Sequence, residues 1–164
     1  MIMYKQILGN NTMKTLLGLP NFFNSCEGVW ESQRTYCYPN RKAFTQLTTY
    51  MDMRLVDQSI NVRWSSRKTD QDRIILEGGK EMLITIDGQY LKRSRGYFTT
   101  EETASEILEL TNSKLHTKTE YNGNVFFEEI EFVTPELRTR RTVGFNKDNN
   151  VEIVGTYVEL KIND

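Results

Sequence analysis

Turn-forming pairs punctuate this chain at short intervals, and their spacing restricts the fold more than any other feature. They fall at Pro39-Asn40, Gly78-Gly79, Asp87-Gly88, Asn122-Gly123 and in the run from Lys147 to Asn150. Between them lie short segments rich in β-branched and aromatic residues, the pattern of an antiparallel all-β sandwich or barrel. Counting alternating segments gives about ten candidate strands, enough to close a barrel around a small ligand. Pro20 suits the first turn of a short helix, and Gly28 lies just past its end. Phe22, Phe23 and Cys26 would share one face of that helix, which could plug a barrel end. The segment "TTEETASEILEL" has capping-box spacing at Thr99 and Glu102, but the polar "TNSK" and strand-like "LHTKTEY" that follow favour a hairpin.

At 164 residues the chain suits a single domain. We place it at residues 20–164, behind an N-terminal arm at 1–19 that lacks the long apolar core of a secretory signal. A net charge of −1 with 26% charged residues gives no basic excess for nucleic acid and no polybasic stretch for a membrane surface. The longest apolar runs are a few residues, far short of a spanning helix. The chain has two cysteines, Cys26 and Cys37, and a single histidine, His116. That set cannot supply a clustered zinc site, so no metal is expected. His116 reads as a surface residue of a strand rather than part of a catalytic triad, and Cys37 as a small, half-buried strand residue. "LEGGKEM" reads as a hairpin turn, not a phosphate loop.

The most informative segment is "VFFEEIEFV". One face carries Phe126, Glu128, Ile130 and Phe132; the other carries Phe127, Glu129, Glu131 and Val133. If the first face lines the interior, Glu128 is a lone carboxylate in an apolar wall, a costly placement without a partner. Such a group can accept hydrogen bonds from a ligand's N–H groups. In "ELRTRRTV", Arg138, Arg140 and Thr142 share a face. Taken alone, an outward face is the simpler reading, because arginine is rarely buried unpaired. Pro135, however, sits between the two segments, and a bend there would bring Glu128 and Arg138 onto neighbouring strands as an inward, ligand-orienting pair. "SINVRWSS" places Ile60, Val62 and Trp64 on one face, with Trp64 as core or as a stacking surface. "GQYLKRSRGYF" reads as a solvated edge with snorkelling Lys and Arg.

The ordered blocks "FFNSCEGVWESQRTYCY", "VRWS", "YLKRSRGYF", "TEY" and "EEIEFVTPELRTRRT" together resemble the S-type phycobiliprotein lyases, the CpcS/CpeS family. Gly28, Trp30, Ser32, Gln33, Arg34 and Thr35 match the family's first motif. Glu128, Phe132, Pro135, Leu137, Arg138, Arg140 and Thr142 match its second. The chain departs from the family at Tyr36, Cys37 and Tyr38, where relatives often carry a histidine, and at Glu136, which replaces an asparagine.

This resemblance implies a lipocalin or fatty-acid-binding-protein-like β-barrel, with Gly28 and Trp30 closing its base. It also implies an enzyme that binds a phycobilin, expected to be phycoerythrobilin, as its substrate. The bilin would be joined through a thioether to a cysteine of an apo-phycobiliprotein, a phycoerythrin or phycocyanin subunit, expected to be β. Glu128 and Arg138 are the expected catalytic pair, Glu128 bonding the pyrrole nitrogens. Arg138 and Arg140 would pair with propionates or hold Glu128 in place, Arg34 would take a second propionate or the barrel-mouth side of the ligand, Trp64 would pack on a pyrrole ring, and Tyr36 and Thr142 complete the bilin contacts. The expected setting is the cytoplasm of a cyanobacterium or the plastid stroma or lumen of an alga. A homodimer is left open. The alternatives are a non-enzymatic carrier of a tetrapyrrole or other hydrophobic ligand, and a β-rich interaction module with a filled core.

Overall fold

A computed structural model describes residues 20–70, 73–96 and 100–162, with backbone alone over 66–70 and 73–79. The arm expected at 1–19 lies outside these residues, as do Tyr97 and Phe98. Helix α1, Asn21–Cys26, precedes ten strands: β1 Gly28–Tyr38, β2 Ala43–Val56, β3 Ser59–Asp70, β4 Arg73–Asp87, β5 Tyr90–Arg93, β6 Thr103–Leu110, β7 Lys114–Tyr121, β8 Asn124–Thr134, β9 Leu137–Phe145 and β10 Val151–Ile162. Each pairs antiparallel with the next. β10 returns to β1, from Val29↔Ile162 to Cys37↔Val154, and closes the barrel. Every strand thus has a neighbour on each side, although the four-residue β5 pairs with β4 only at Ile84–Asp87.

The turn chemistry explains most of the connections. Asn122 and Gly123 both have positive φ, 50° and 78°, as a two-residue hairpin turn that matches strand twist requires. β4 and β5 are joined through Gly88, also at positive φ. The Asn146 side chain accepts from the backbone N–H groups of Asp148 and Asn150, shaping the last hairpin. Residues 103–121 form the expected hairpin, β6 and β7. Gly78-Gly79 differs from expectation. It is not a turn but part of β4, opposite a register shift between Trp64 and Ser66. Two glycines tolerate the bulge that lets one strand carry an extra residue while the wall bends. Cys37 is exposed, not half-buried, because odd-numbered positions of β1 point outward. His116 likewise stands on the outer wall, beside Phe127.

One barrel end is sealed. Phe22, Phe23 and Cys26 of α1 are buried, and Phe22 meets Phe132 edge-on at 5.3 Å. Trp30 is fully buried and donates through Nε1 to the Cys26 carbonyl at 2.8 Å. Gly28, at φ 130°, starts β1 where a Cβ would meet the Lys161 side chain at 3.3 Å. Lys161 in turn donates to the Ser25 carbonyl. Above Trp30 lies the Arg138 guanidinium, 4.3 Å from the ring centroid. Its Nε donates to Glu159 Oε2 at 2.5 Å, and both side chains are fully buried. Methionine, isoleucine, leucine and valine side chains from β2 to β8 complete the core around this base.

A buried ion pair that loses one partner leaves an uncompensated charge in low dielectric. Arg138→Leu is therefore expected to cost about 3–5 kcal/mol. Arg141→Leu, which breaks the exposed pair with Glu129 on the outer wall, should cost ~1 kcal/mol or less. Equilibrium urea unfolding of the two variants measures both.

Candidate functional site

Strand register stacks the inward side chains in layers. The base holds Trp30, Phe132, Arg138 and Glu159. The next layer holds Arg34, Ile130, Arg140 and Tyr157, since Arg34 pairs with Tyr157, Tyr157 with Arg140, and Arg140 with Ile130. Above it, Tyr36 pairs with Gly155, Gly155 with Thr142, and Thr142 with Glu128. Between these layers and the mouth lies a cavity of about 130 Å³. Arg34, Tyr36, Trp64, Glu128, Arg140 and Thr142 all line it, together with Lys80, Arg95, Gly96, Ile153 and Tyr157.

Glu128 and Arg138 do stand on neighbouring strands, but they do not pair. Register places Thr142 opposite Glu128 and Phe132 opposite Arg138. The partner of Glu128 is Arg93 on β5, with Nη2 3.4 Å from Oε1 and both side chains largely buried. Arg93 is held from behind by Nη1 donating to Ser105 Oγ at 2.5 Å, and Ser105 lies 2.6 Å from Thr119 Oγ1. Glu128 is thus a fixed carboxylate at the cavity wall. Arg138 does not reach the cavity at all. It is walled in by Trp30, Glu159, the Cys26 sulfur at 3.3 Å and the Met53 sulfur at 3.5 Å.

Glu159 joins the base to the cavity floor. Its Oε1 accepts from Ser32 Oγ at 2.9 Å, and Ser32 accepts from Arg34 Nε at 3.0 Å. Arg140 Nε stands 4.0 Å from the same carboxylate oxygen. Burial pushes the Glu159 carboxyl up, but Arg140, Arg138 and Arg34, with the hydrogen bond from Arg138, outweigh it and hold the group at about 2. Arg34 and Arg140 also stand 5.3 and 5.6 Å from the centroid of the Tyr157 ring, and Tyr36 meets that ring edge-on. Burial, with Tyr36 nearby, drives the Tyr157 phenol far above its ordinary value, so it remains a protonated donor. The Cys26 thiol is pushed up by burial as well and supplies no thiolate. Among the described residues, Arg34, Arg95, Arg140 and Lys80 line the cavity with Glu128, which Arg93 holds, above the Arg138–Glu159 pair. Among the described residues no cluster of His, Cys, Asp and Glu could hold a metal ion.

A family model described as CpeS-like protein matches residues 51–162, more than half of the chain. The chain belongs to the CpeS-like family. A relative from Nostoc sp., named for phycocyanobilin lyase activity (CpcS 2), is 25% identical over 163 residues, covering 86% of this chain and 89% of its own. A Picosynechococcus sp. relative named for chromophore lyase activity (CpcV) is 31% identical over 101 residues, covering 62% of this chain and 48% of its own. Among solved structures, the S-type phycobiliprotein lyase CPES of Guillardia theta superposes with a TM-score of 0.61 at 16% identity, covering 87% of this chain and 92% of that one. A Nostoc punctiforme protein of the DUF3598 family, of unknown function, gives 0.59 at 17% identity, covering 85% of this chain and 49% of that one. Both share the barrel fold with this CpeS-like chain.

Sequence reasoning missed Arg93 and Glu159. The signal for Arg93 is the short alternation in "YLKR": Leu91 and Arg93 are buried, while Tyr90 is exposed and Lys92 pairs outward with Asp87. The signal for Glu159 is parity. Starting from Ile153, every second residue of β10 faces the lumen, while Val158 and Leu160 are exposed outside.

The folded Glu159 carboxyl, at about 2, lies below its ordinary value of 4.5. Its contribution to stability is therefore full above about pH 5 and is lost as pH falls towards about 2. Urea unfolding at stepped pH should show the wild type losing stability through this window. Glu159→Gln should start lower at pH 7 and fall less steeply, so that the two converge in acid.

Proposed function

We propose that this CpeS-like chain is a bilin lyase: it binds a phycobilin in the upper barrel and presents it to a cysteine of an apo-phycobiliprotein subunit. The observation that carries this reading is Glu128, a carboxylate fixed by Arg93 in the wall of a cavity otherwise dominated by guanidinium groups. An open-chain tetrapyrrole has the complementary chemistry: pyrrole N–H groups along one edge and two propionates. Glu128 accepts from the pyrrole nitrogens and favours the protonated, electrophilic bilin. Arg34 and Arg140 take propionates, Trp64 packs on a ring, and Tyr36 and Thr142 border the ligand. Arg138 acts at one remove, through Glu159, as a positioning residue.

The lyase supplies position and charge, not a nucleophile. The acceptor's thiolate adds to the ethylidene carbon, its electron pair enters the conjugated system, and that system takes up the proton; nothing leaves. Phycoerythrobilin is the first bilin to test, and phycocyanobilin, named in the Nostoc relative, the second. The acceptor is expected to be a β subunit of phycoerythrin or phycocyanin, in a cyanobacterial cytoplasm or an algal plastid.

Mixing purified protein with either bilin should give a red-shifted, sharpened visible band, and adding apo-subunit should give covalent bilin on a denaturing gel. Glu128→Gln loses a charge-assisted hydrogen bond of about 1.5–3 kcal/mol, or roughly ten- to a hundredfold in affinity. A wild-type chain that shifts no bilin's band defeats the reading. One that binds but never transfers is a carrier.

A further inference from the structure

A second cavity, of about 270 Å³, opens above the first, at the barrel mouth. Its lining includes Tyr38, Arg41, Tyr121, Asn124, Phe126 and Ile153. Strand parity makes it the upward continuation of the same lumen: Tyr38 lies two residues beyond Tyr36 on β1, and Phe126 two residues from Glu128 on β8. Ile153 lines both cavities. Between them stands a neck. Gly144 pairs with Phe126 on one side and Ile153 on the other, and a Cβ there would come within 2.7 Å of both side chains. This glycine lets the Phe126 and Ile153 side chains approach across the inside of β9.

Pockets that enclose drug-sized ligands run to roughly 300–1,000 Å³. The inner cavity, at about 130 Å³, is too small for four pyrrole rings and two propionates. We infer that the mouth cavity is the second half of the bilin site. The inner cavity takes the part of the tetrapyrrole that bonds Glu128, and the rest passes the Phe126–Ile153 neck to lie beside Tyr38 and Tyr121. The occupant is a long, flat, conjugated chain of rings, apolar on its faces. The sealed base leaves the mouth as the side from which an acceptor thiol reaches it. This inference rests on the bilin reading and extends it to residues outside the inner cavity.

Two ligands separate the compartments: phycoerythrobilin, which must span both, and a linear dipyrrole carboxylate, short enough for the inner cavity alone. Asn124→Trp fills the mouth, and Tyr38→Ala removes an aromatic face from it. Each should weaken phycoerythrobilin binding about tenfold, the scale of one lost aromatic contact, while the dipyrrole's affinity stays within about twofold of wild type. The dipyrrole also reports on folding of each variant. Unchanged phycoerythrobilin affinity in both variants overturns the inference, as does an equal loss for both ligands. A wild-type chain that binds neither bilin defeats the functional reading itself, a result distinct from either of these.

Discussion

The ion pair between Arg138 and Glu159 holds the barrel's base and its cavity floor together. Two fully buried charges are expensive to place in an interior unless each is paired and further hydrogen-bonded. Here Arg138 lies against the Trp30 ring and reaches the Cys26 sulfur, so it ties the sealing helix to the wall. Glu159 spends its other oxygen on Ser32 and stands beside Arg140. The same carboxylate therefore balances the base below and orders Arg34 and Arg140 above. Without it, the inner layers of the lumen would hold several guanidinium groups with no fixed negative charge.

The lumen's charge is asymmetric, and that asymmetry sets what it can hold. Glu128 is matched by Arg93, and Glu159 by Arg138 with Arg140 4.0 Å away, while Arg34, Lys80 and Arg95 add further positive charge along the cavity wall. A ligand with its own carboxylates relieves this excess. A ligand with N–H donors alone would satisfy Glu128 and leave the cations in place. The cavity thus favours a molecule that carries both, which is the pattern of a bilin and not of a plain fatty acid.

Much of this was legible in the sequence because β-strands alternate strictly. "VFFEEIEFV" places Glu128 with Phe126, Ile130 and Phe132, and the structure keeps that face inward. Arg138, Arg140 and Thr142 were readable as one face, and the bend at Pro135 argued for an inward one, but the partner expected for Arg138 there was Glu128, since buried arginine needs a carboxylate and no other was in view. The actual partner, Glu159, stands 21 positions along the chain on a strand whose exposed face is the apolar one. Hydrophobicity alone points such a strand the wrong way; only pairing with Trp30's strand fixes its parity. Arg93 was hidden for a different reason. Four residues give too short an alternation, and its meaning depends on Glu128, 35 positions away. Gly78-Gly79 misled because two glycines serve a bulge as readily as a turn, and the distinction is set by the partner strand.

In the proposed function, Glu128 and the guanidinium groups of the upper barrel receive an open-chain tetrapyrrole. A crystal structure of the chain with bound phycoerythrobilin tests it most directly. The bilin should lie inside the lumen, its pyrrole nitrogens within hydrogen-bond distance of the Glu128 carboxylate and a propionate on Arg34 or Arg140, above an intact Arg138–Glu159 pair. A bilin bound on the outer wall, or inside the lumen with its nitrogens turned away from Glu128, would contradict it.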